Sequence, residues 1–302
     1  MSAQPPPYGY PPPQPPAFRN PTGKQLLSAS WAMLRQDREL LWLPAIAAIT
    51  GFFAALVLFA PGFAIGWFVG GDQHHSWGGW VGGVFAAFAA SVVSIYFQAA
   101  LVIAANQRSD GQDPTVRGAL AEAWTHRGRI LSWAALTTTV GVAIRAVEQR
   151  LGVLGSILGF LSGMAWAIAS FFVVPMLVVE DLGPIAAVKR SAQLIRETWG
   201  TSLRTTLRFS LTYIAVLLAP ILVIVIGVVL FANGSTASEA LGGLLIVAGV
   251  AGFLAVAMVF SAISTYARAL IYRYATGRPV PGIDPQLFAG VFRQKRGRRG
   301  IA

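Results

Sequence analysis

The sequence predicts an all-α, polytopic transmembrane helical bundle of six spans in three hairpins, each hairpin preceded by a cytoplasmic amphipathic interfacial helix. Three observations predict it. Of 302 residues, 55% are hydrophobic and 12% charged, where a soluble domain carries about 25% charged residues. The apolar residues gather into runs of about 20 or more, the length that crosses about 30 Å of hydrocarbon. The 23 Lys and Arg residues fall almost entirely in alternate loops, the asymmetry that orients membrane helices. Cysteine is absent, which excludes disulfides, thiolate metal sites and cysteine nucleophiles.

Residues 1–21 read as a disordered, proline-rich cytoplasmic tail. Eight prolines in its first 20 residues favour extended polyproline II and leave nothing to bury. Pro5-Pro6-Pro7-Tyr8 has the form of a proline-rich ligand, a pattern that also recurs by chance in solvated spacers. The tail has no apolar signal region, so the first span is expected to direct insertion.

Residues 22–283 form the six-span transmembrane domain, with spans expected near 40–68, 79–104, 130–147, 153–179, 206–232 and 241–272. The third is the weakest, with Thr137, Thr138 and Thr139 at its middle and Arg145 near its end. The last is longer than a bilayer requires, so its cytoplasmic end is expected to project. Pro44, Pro61, Pro175 and Pro220 lie in or beside spans, where kinks are expected. Before each pair of spans the apolar spacing turns amphipathic: Leu27, Trp31 and Leu34; then Val116, Leu120 and Trp124, opposite Glu122 and Arg129; then Ile185, Val188, Ala192, Ile195 and Trp199. Asp113 ahead of Pro114 is a candidate N-cap, and Gly183-Pro184 marks another helix start. The chain thus reads as three degenerate copies of one unit. Residues 284–302 add a short amphipathic helix, with Leu287, Phe288, Val291 and Phe292, and a basic cytoplasmic tail.

Twenty-one of the 23 basic residues fall on one side, leaving Arg145 and Arg150 for the other. The expected location is the cell membrane, multi-pass, with both termini cytoplasmic. The net charge of +11 then follows from topology. The partners it implies are membrane lipids, including anionic headgroups, and not nucleic acid. A membrane protein partner is also compatible with the basic amphipathic helices.

GKQLLSASWAMLRQDRELLWLP at 23–44, PIAAVKRSAQLIRETWG at 184–200 and ALIYRYATGRPVPGIDPQLFAGVF at 269–292 resemble a family of uncharacterised polytopic prokaryotic membrane proteins, classed as a domain of unknown function. The resemblance spans 23–294 and implies a fold and a location but no chemistry. More loosely, the surface helix before each hairpin is similar to the membrane domain attached to some glycerophosphodiester phosphodiesterases. The phosphodiesterase domain itself is missing, so its catalytic function does not carry over.

Candidate chemistry is sparse. Asp72-Gln73-His74-His75 offers imidazoles and a carboxylate for a divalent ion but falls short of three or four convergent ligands, so a solvated outer loop is the plainer reading. Arg145 and Glu148, spaced i, i+3, are expected to pair locally, with a polar pathway as the functional alternative. Ser94, Tyr96, Gln98, Ser170, Ser210, Thr212, Ser261, Ser264 and Thr265 supply interhelical hydrogen bonds or, if a cavity exists, line it beside Thr138. Gly155, Gly159 and Gly163, with Gly152 a turn earlier, form a close-packing stripe on the fourth span. No catalytic, cofactor-binding or metal residue is assigned, and no cofactor is implied. The reading is a non-enzymatic membrane scaffold or partner subunit. The alternative is a transporter or channel-like protein for a neutral or lipid-like substrate, with a cavity lined by Gln98, Thr138 and Ser264.

Overall fold

The computed structural model describes residues 31–199, 203–232 and 236–279, and every regular element among them is helical. The proline-rich tail, Leu27, the amphipathic piece after Asp284 and the basic tail lie outside the described residues. A helical stretch over 31–36 and a 3-10 turn, Arg38–Trp42, lead into α1 (Leu43–Val69). Pro44 falls in the first turn of α1, where a missing N–H leaves no helical bond unmade. A turn at Gly70–Gln73 sends α2 (His74–Ser109) back along it. Glycine allows the close approach: a Cβ at Gly66 would collide with the Trp77 backbone, and one at Gly62 would come 2.9 Å from the Phe85 Cβ.

The surface helix α3 (Val116–Thr125) begins two residues later than Asp113 suggests. Thr115 is extended, and its hydroxyl accepts from the Gly118 N–H at 3.1 Å, making Thr115 the N-cap. The Asp113 carboxylate is taken instead by Arg108, at 2.6 Å.

Next come α4 (Arg127–Arg150) and α5 (Gly152–Ala169), joined where Gly152 adopts φ +55°, a conformation that costs glycine little. They run antiparallel, with Trp133 stacked on Trp166 at 5.6 Å between ring centroids. The expected span 153–179 is not a single helix. It breaks at Ser170–Phe172 and resumes as α6 (Val173–Val179). Pro175 explains the break, since it has no N–H to bond one turn back and sits in the first turn of α6. The freed Phe172 N–H donates to the Ser191 hydroxyl at 3.1 Å. Ser191 belongs to α7 (Pro184–Trp199), which starts at the expected proline.

Two long helices, α8 (Leu203–Ala232) and α9 (Thr236–Ala275), close the chain. They also run antiparallel, with Gly227 against Ile246, and Gly249 against Ile224. Helices α1 and α8 continue through Pro61 and Pro220, so Pro175 alone of the four prolines coincides with a break.

Among the described residues, four helical stretches are long and apolar enough to cross a membrane: Glu39–Val69, Ser76–Ser109, Arg127–Val179 and Ser238–Ala275, with Leu217–Ala232 a shorter apolar segment. The sequence reading expects six. The difference arises because Arg127–Val179 runs through both the Gly152 turn and the Ser170–Phe172 break, and because the side chains of α8 are described only from Leu217 onward.

Burial is concentrated at one end of the bundle, where Leu34, Leu101, Ile130, Met176, Leu270 and Tyr272 are fully buried or nearly so. The opposite ends expose large apolar side chains such as Phe52, Phe68, Val153 and Val247, as helices facing lipid do. Helices α3 and α7 cover the buried end largely through narrow residues, Ala119 and Ala123 on one, Ala187 and Ser191, with Leu194, on the other. Of the expected faces, Val116, Leu120, Val188 and Ile195 pack against this core, while Trp124 and Ile185 stay 59% and 65% exposed. Large side chains would hold a covering helix off, whereas alanine and serine let it settle.

Candidate functional site

The buried end also gathers the charged groups. Arg108, at the end of α2, bridges Asp37 and Asp113, and Asp37 is itself buried. Arg273 on α9 donates to Asp110 at 2.5 Å and to the Asn106 side chain at 3.1 Å. Tyr272 donates to Glu180 at 2.5 Å. Asp181 receives Arg129 at 2.6 Å, with His126 at 3.2 Å. Tyr96 donates to the Leu120 carbonyl at 2.8 Å and so fastens α3 to α2. Most of these bonds join segments far apart in sequence, and those of Asp37, Arg273 and Tyr272 satisfy groups that burial would otherwise penalise.

Just inside this charged layer lies a cavity of about 430 Å³ between α2, α4, the α5–α6 break and α9. Polar groups converge on it: Ser94, Gln98, Thr137, Ser170, Thr265 and Arg268. Its apolar wall includes Ile95, Val102, Trp133, Phe171 and Pro175. Ser94 is exposed, so the cavity opens to the surface there. The break positions Ser170 and Phe171, because a continuous helix would direct the following residues elsewhere. Backbone of this kind is tolerated at membrane depth where it lines a cavity. Gln98 donates to the Ser94 hydroxyl at 3.0 Å. Thr137, Ser170 and Thr265 donate to carbonyls of their own helical segments, Ala134, Trp166 and Ser261, at 3.0, 2.7 and 2.9 Å. Their protons are engaged, so toward the cavity they offer lone pairs.

The structure brings together Gln98, Ser94, Ser170 and Thr265 from the polar residues singled out in the sequence. It replaces Thr138 by Thr137 and Ser264 by Thr265, since neighbours on a helix point about 100° apart. Thr138 is half-buried, its enclosed hydroxyl without a hydrogen-bond partner, and Ser264 bonds Ser261 on its own helix at 3.0 Å. The side chains of Ser210 and Thr212 lie outside the described residues.

Arg145 and Glu148 do not form the expected pair. Glu148 turns onto α5, where its carboxylate fills the notch beside Gly159, while Arg145 is exposed. The side chains of Asp72, His74 and His75 lie outside the described residues, and no group of three potential metal ligands occurs among the described ones. Arg268 was not singled out by sequence. It stands seven residues from the end of an apolar helix and so reads as flanking positive charge. The signal that finds it is the Ser261, Thr265, Arg268 spacing, which places three polar residues on one helical face.

The long apolar helices and the polar cavity fit a multi-pass membrane protein. The chain belongs to the Family of unknown function (DUF6159), whose sequence model matches residues 82–280. The match begins within α2, ends just past α9 and contains every residue that lines the cavity. No curated protein and no solved structure matches the chain.

Proposed function

We propose that the protein crosses the cell membrane six times, as three hairpins with both termini cytoplasmic, and takes a lipid-like molecule into the cavity beside the α5–α6 break. The observation that carries this reading is the convergence of polar side chains at a broken helix, the arrangement in which membrane transporters build substrate sites. Six crossings are supported by the lengths of α4 and α5, 24 and 18 residues, about 36 and 27 Å at 1.5 Å per residue. The antiparallel α8 and α9 supply the last pair. The orientation is supported by the one-sided Lys and Arg distribution. The likeness to the membrane domain of glycerophosphodiester phosphodiesterases rests on pattern alone and brings no catalytic role.

Retention of membrane lipid through purification in mild detergent, read by native mass spectrometry, tests the proposal. The wild type is expected to retain lipid and Ser94→Phe, which fills the mouth of the cavity, to retain less. Equal retention overturns the reading. A scaffold or partner-subunit role is the second reading. It is favoured by the exposure of Trp124 and Ile185 on α3 and α7, and a protein that co-purifies with wild type but not with a Trp124→Ala, Ile185→Ala double variant would support it.

A further inference from the structure

We infer that Arg268 makes this cavity selective for an anionic lipid, holding an oxyanion headgroup against its guanidinium. The inference rests on the cavity reading above and adds the charge of the ligand.

Arginine keeps its charge in a protein, and placing that charge within an apolar helix is costly unless something neutralises it. Three other arginines at this end are neutralised: Arg108 by Asp37 and Asp113, Arg273 by Asp110, Arg129 by Asp181. Arg268 differs. Among the described residues it meets no carboxylate, and its contact is with the Phe171 ring, whose centroid lies 5.5 Å from Cζ. A ring face attracts the cation but accepts no conventional hydrogen bond, leaving the guanidinium donors available to the cavity.

The rest of the lining is complementary. The hydroxyls of Thr137, Ser170 and Thr265 present lone pairs because their protons bond helix carbonyls. They suit a ligand with hydroxyl donors of its own. Ile95, Val102 and Trp133 supply an apolar wall, which suits an acyl chain or glycerol backbone and disfavours a free hydrated anion. Arg268 lies seven residues from the end of α9 at Ala275, about 10 Å along the axis, next to the charged layer that holds Arg273. The chemical class is an amphiphile with an oxyanion headgroup carrying hydroxyls. Phosphatidylglycerol is the probe that has both features.

The test is competition between phosphatidylglycerol and phosphatidylcholine at equal amounts in nanodiscs holding the full chain, with retained lipid identified by native mass spectrometry. The wild type is expected to prefer phosphatidylglycerol by about tenfold to a hundredfold, the range a charge-assisted hydrogen bond supplies. Arg268→Gln should fall to parity. Arg268→Lys, which keeps the charge, should retain a preference and decides the matter if the glutamine variant does not fold. Arg117→Gln, an exposed basic residue on α3, should behave as wild type. Parity in the wild type, an equal loss in Arg117→Gln, or parity in Arg268→Lys overturns the inference. Displacement of phosphatidylglycerol by inorganic phosphate would assign the site to a free anion and overturn the lipid source. Lipid retained without charge preference, yet lost in Ser94→Phe, refutes the anion inference alone, whereas retention indifferent to Ser94→Phe refutes the cavity reading beneath it.

Discussion

Tyr266 and Tyr272, six residues apart on α9, are both fully buried, yet their hydroxyls have opposite circumstances. Tyr272 donates to Glu180 at 2.5 Å, tying α9 to the end of α6, whereas the Tyr266 hydroxyl has no hydrogen-bond partner. Removing one member of a bonded pair leaves the other buried and unsatisfied, and bonds to charged groups contribute about 1.5–3 kcal/mol. Tyr272→Phe is therefore expected to lower the melting temperature of the purified protein clearly. Tyr266→Phe removes a group that already lacks its bond, so stability should hold or rise. A larger loss in Tyr266→Phe than in Tyr272→Phe would contradict this account. Neither tyrosine stands out in the sequence, because Glu180 is 92 residues from Tyr272 and their meeting depends on how α6 and α9 are brought together.

Among the elements, the glycine stripe of α5 is shorter than its spacing suggests. Gly155 and Gly159 are buried against Glu148, the first beside its backbone and the second beside its side chain, while a Cβ at Gly163 would meet nothing within 4 Å. The contact is internal to the chain, between α4 and α5. Gly159→Ile should destabilise by about 1–3 kcal/mol or more through overpacking, and Gly163→Ile should be close to neutral. Thermal melts in detergent of the two variants, with Val225→Ile on an exposed position of α8 as a further control, compare them directly. Equal melting temperatures for all three would mean that the α4–α5 contact contributes nothing. Four-residue spacing marks a helix face that another helix can approach, but the approach ends where the two axes diverge, and divergence is not encoded in spacing. The docking faces of α3 and α7 depart from the expected ones only in part: Val116, Leu120, Val188 and Ile195 pack against the core, but the deepest contacts on α3 are Ala119 and Ala123 and Trp124 stays exposed.

For the molecule as a whole, α2 and α9 have 36 and 40 residues, about 54 and 60 Å at helical rise, well beyond about 30 Å of hydrocarbon. Their excess length meets α3 and α6 at the basic end, where α7 packs on α6, and there the well-buried core forms. In lipid an apolar side chain gains little by leaving the acyl chains, which accounts for the exposed opposite ends. Orientation is the property to measure. Because the chain has no cysteine, Gln73→Cys and Gln112→Cys each introduce a single thiol, both at exposed positions. A membrane-impermeant maleimide should label Gln73→Cys on intact cells and Gln112→Cys only after permeabilisation. The reverse pattern would invert the proposed topology.

Composition and run length alone determined that the chain is helical and apolar enough for a membrane, because covering backbone polar groups in lipid leaves few choices and those choices are written locally. The Pro184 helix start was equally local. Only the tertiary structure decided that Pro175 ends one helical segment and begins another while Pro61 and Pro220 interrupt nothing. The Ser191 hydroxyl that accepts the freed Phe172 N–H lies on α7, and helix spacing cannot report a partner contributed by another element. The same holds for the cavity. Thr137 rather than Thr138, and Arg268 rather than Arg145, became candidate site residues because helix rotation and the break at Ser170–Phe172 aim side chains from four segments at one volume, a convergence set by packing and invisible to any single stretch of sequence.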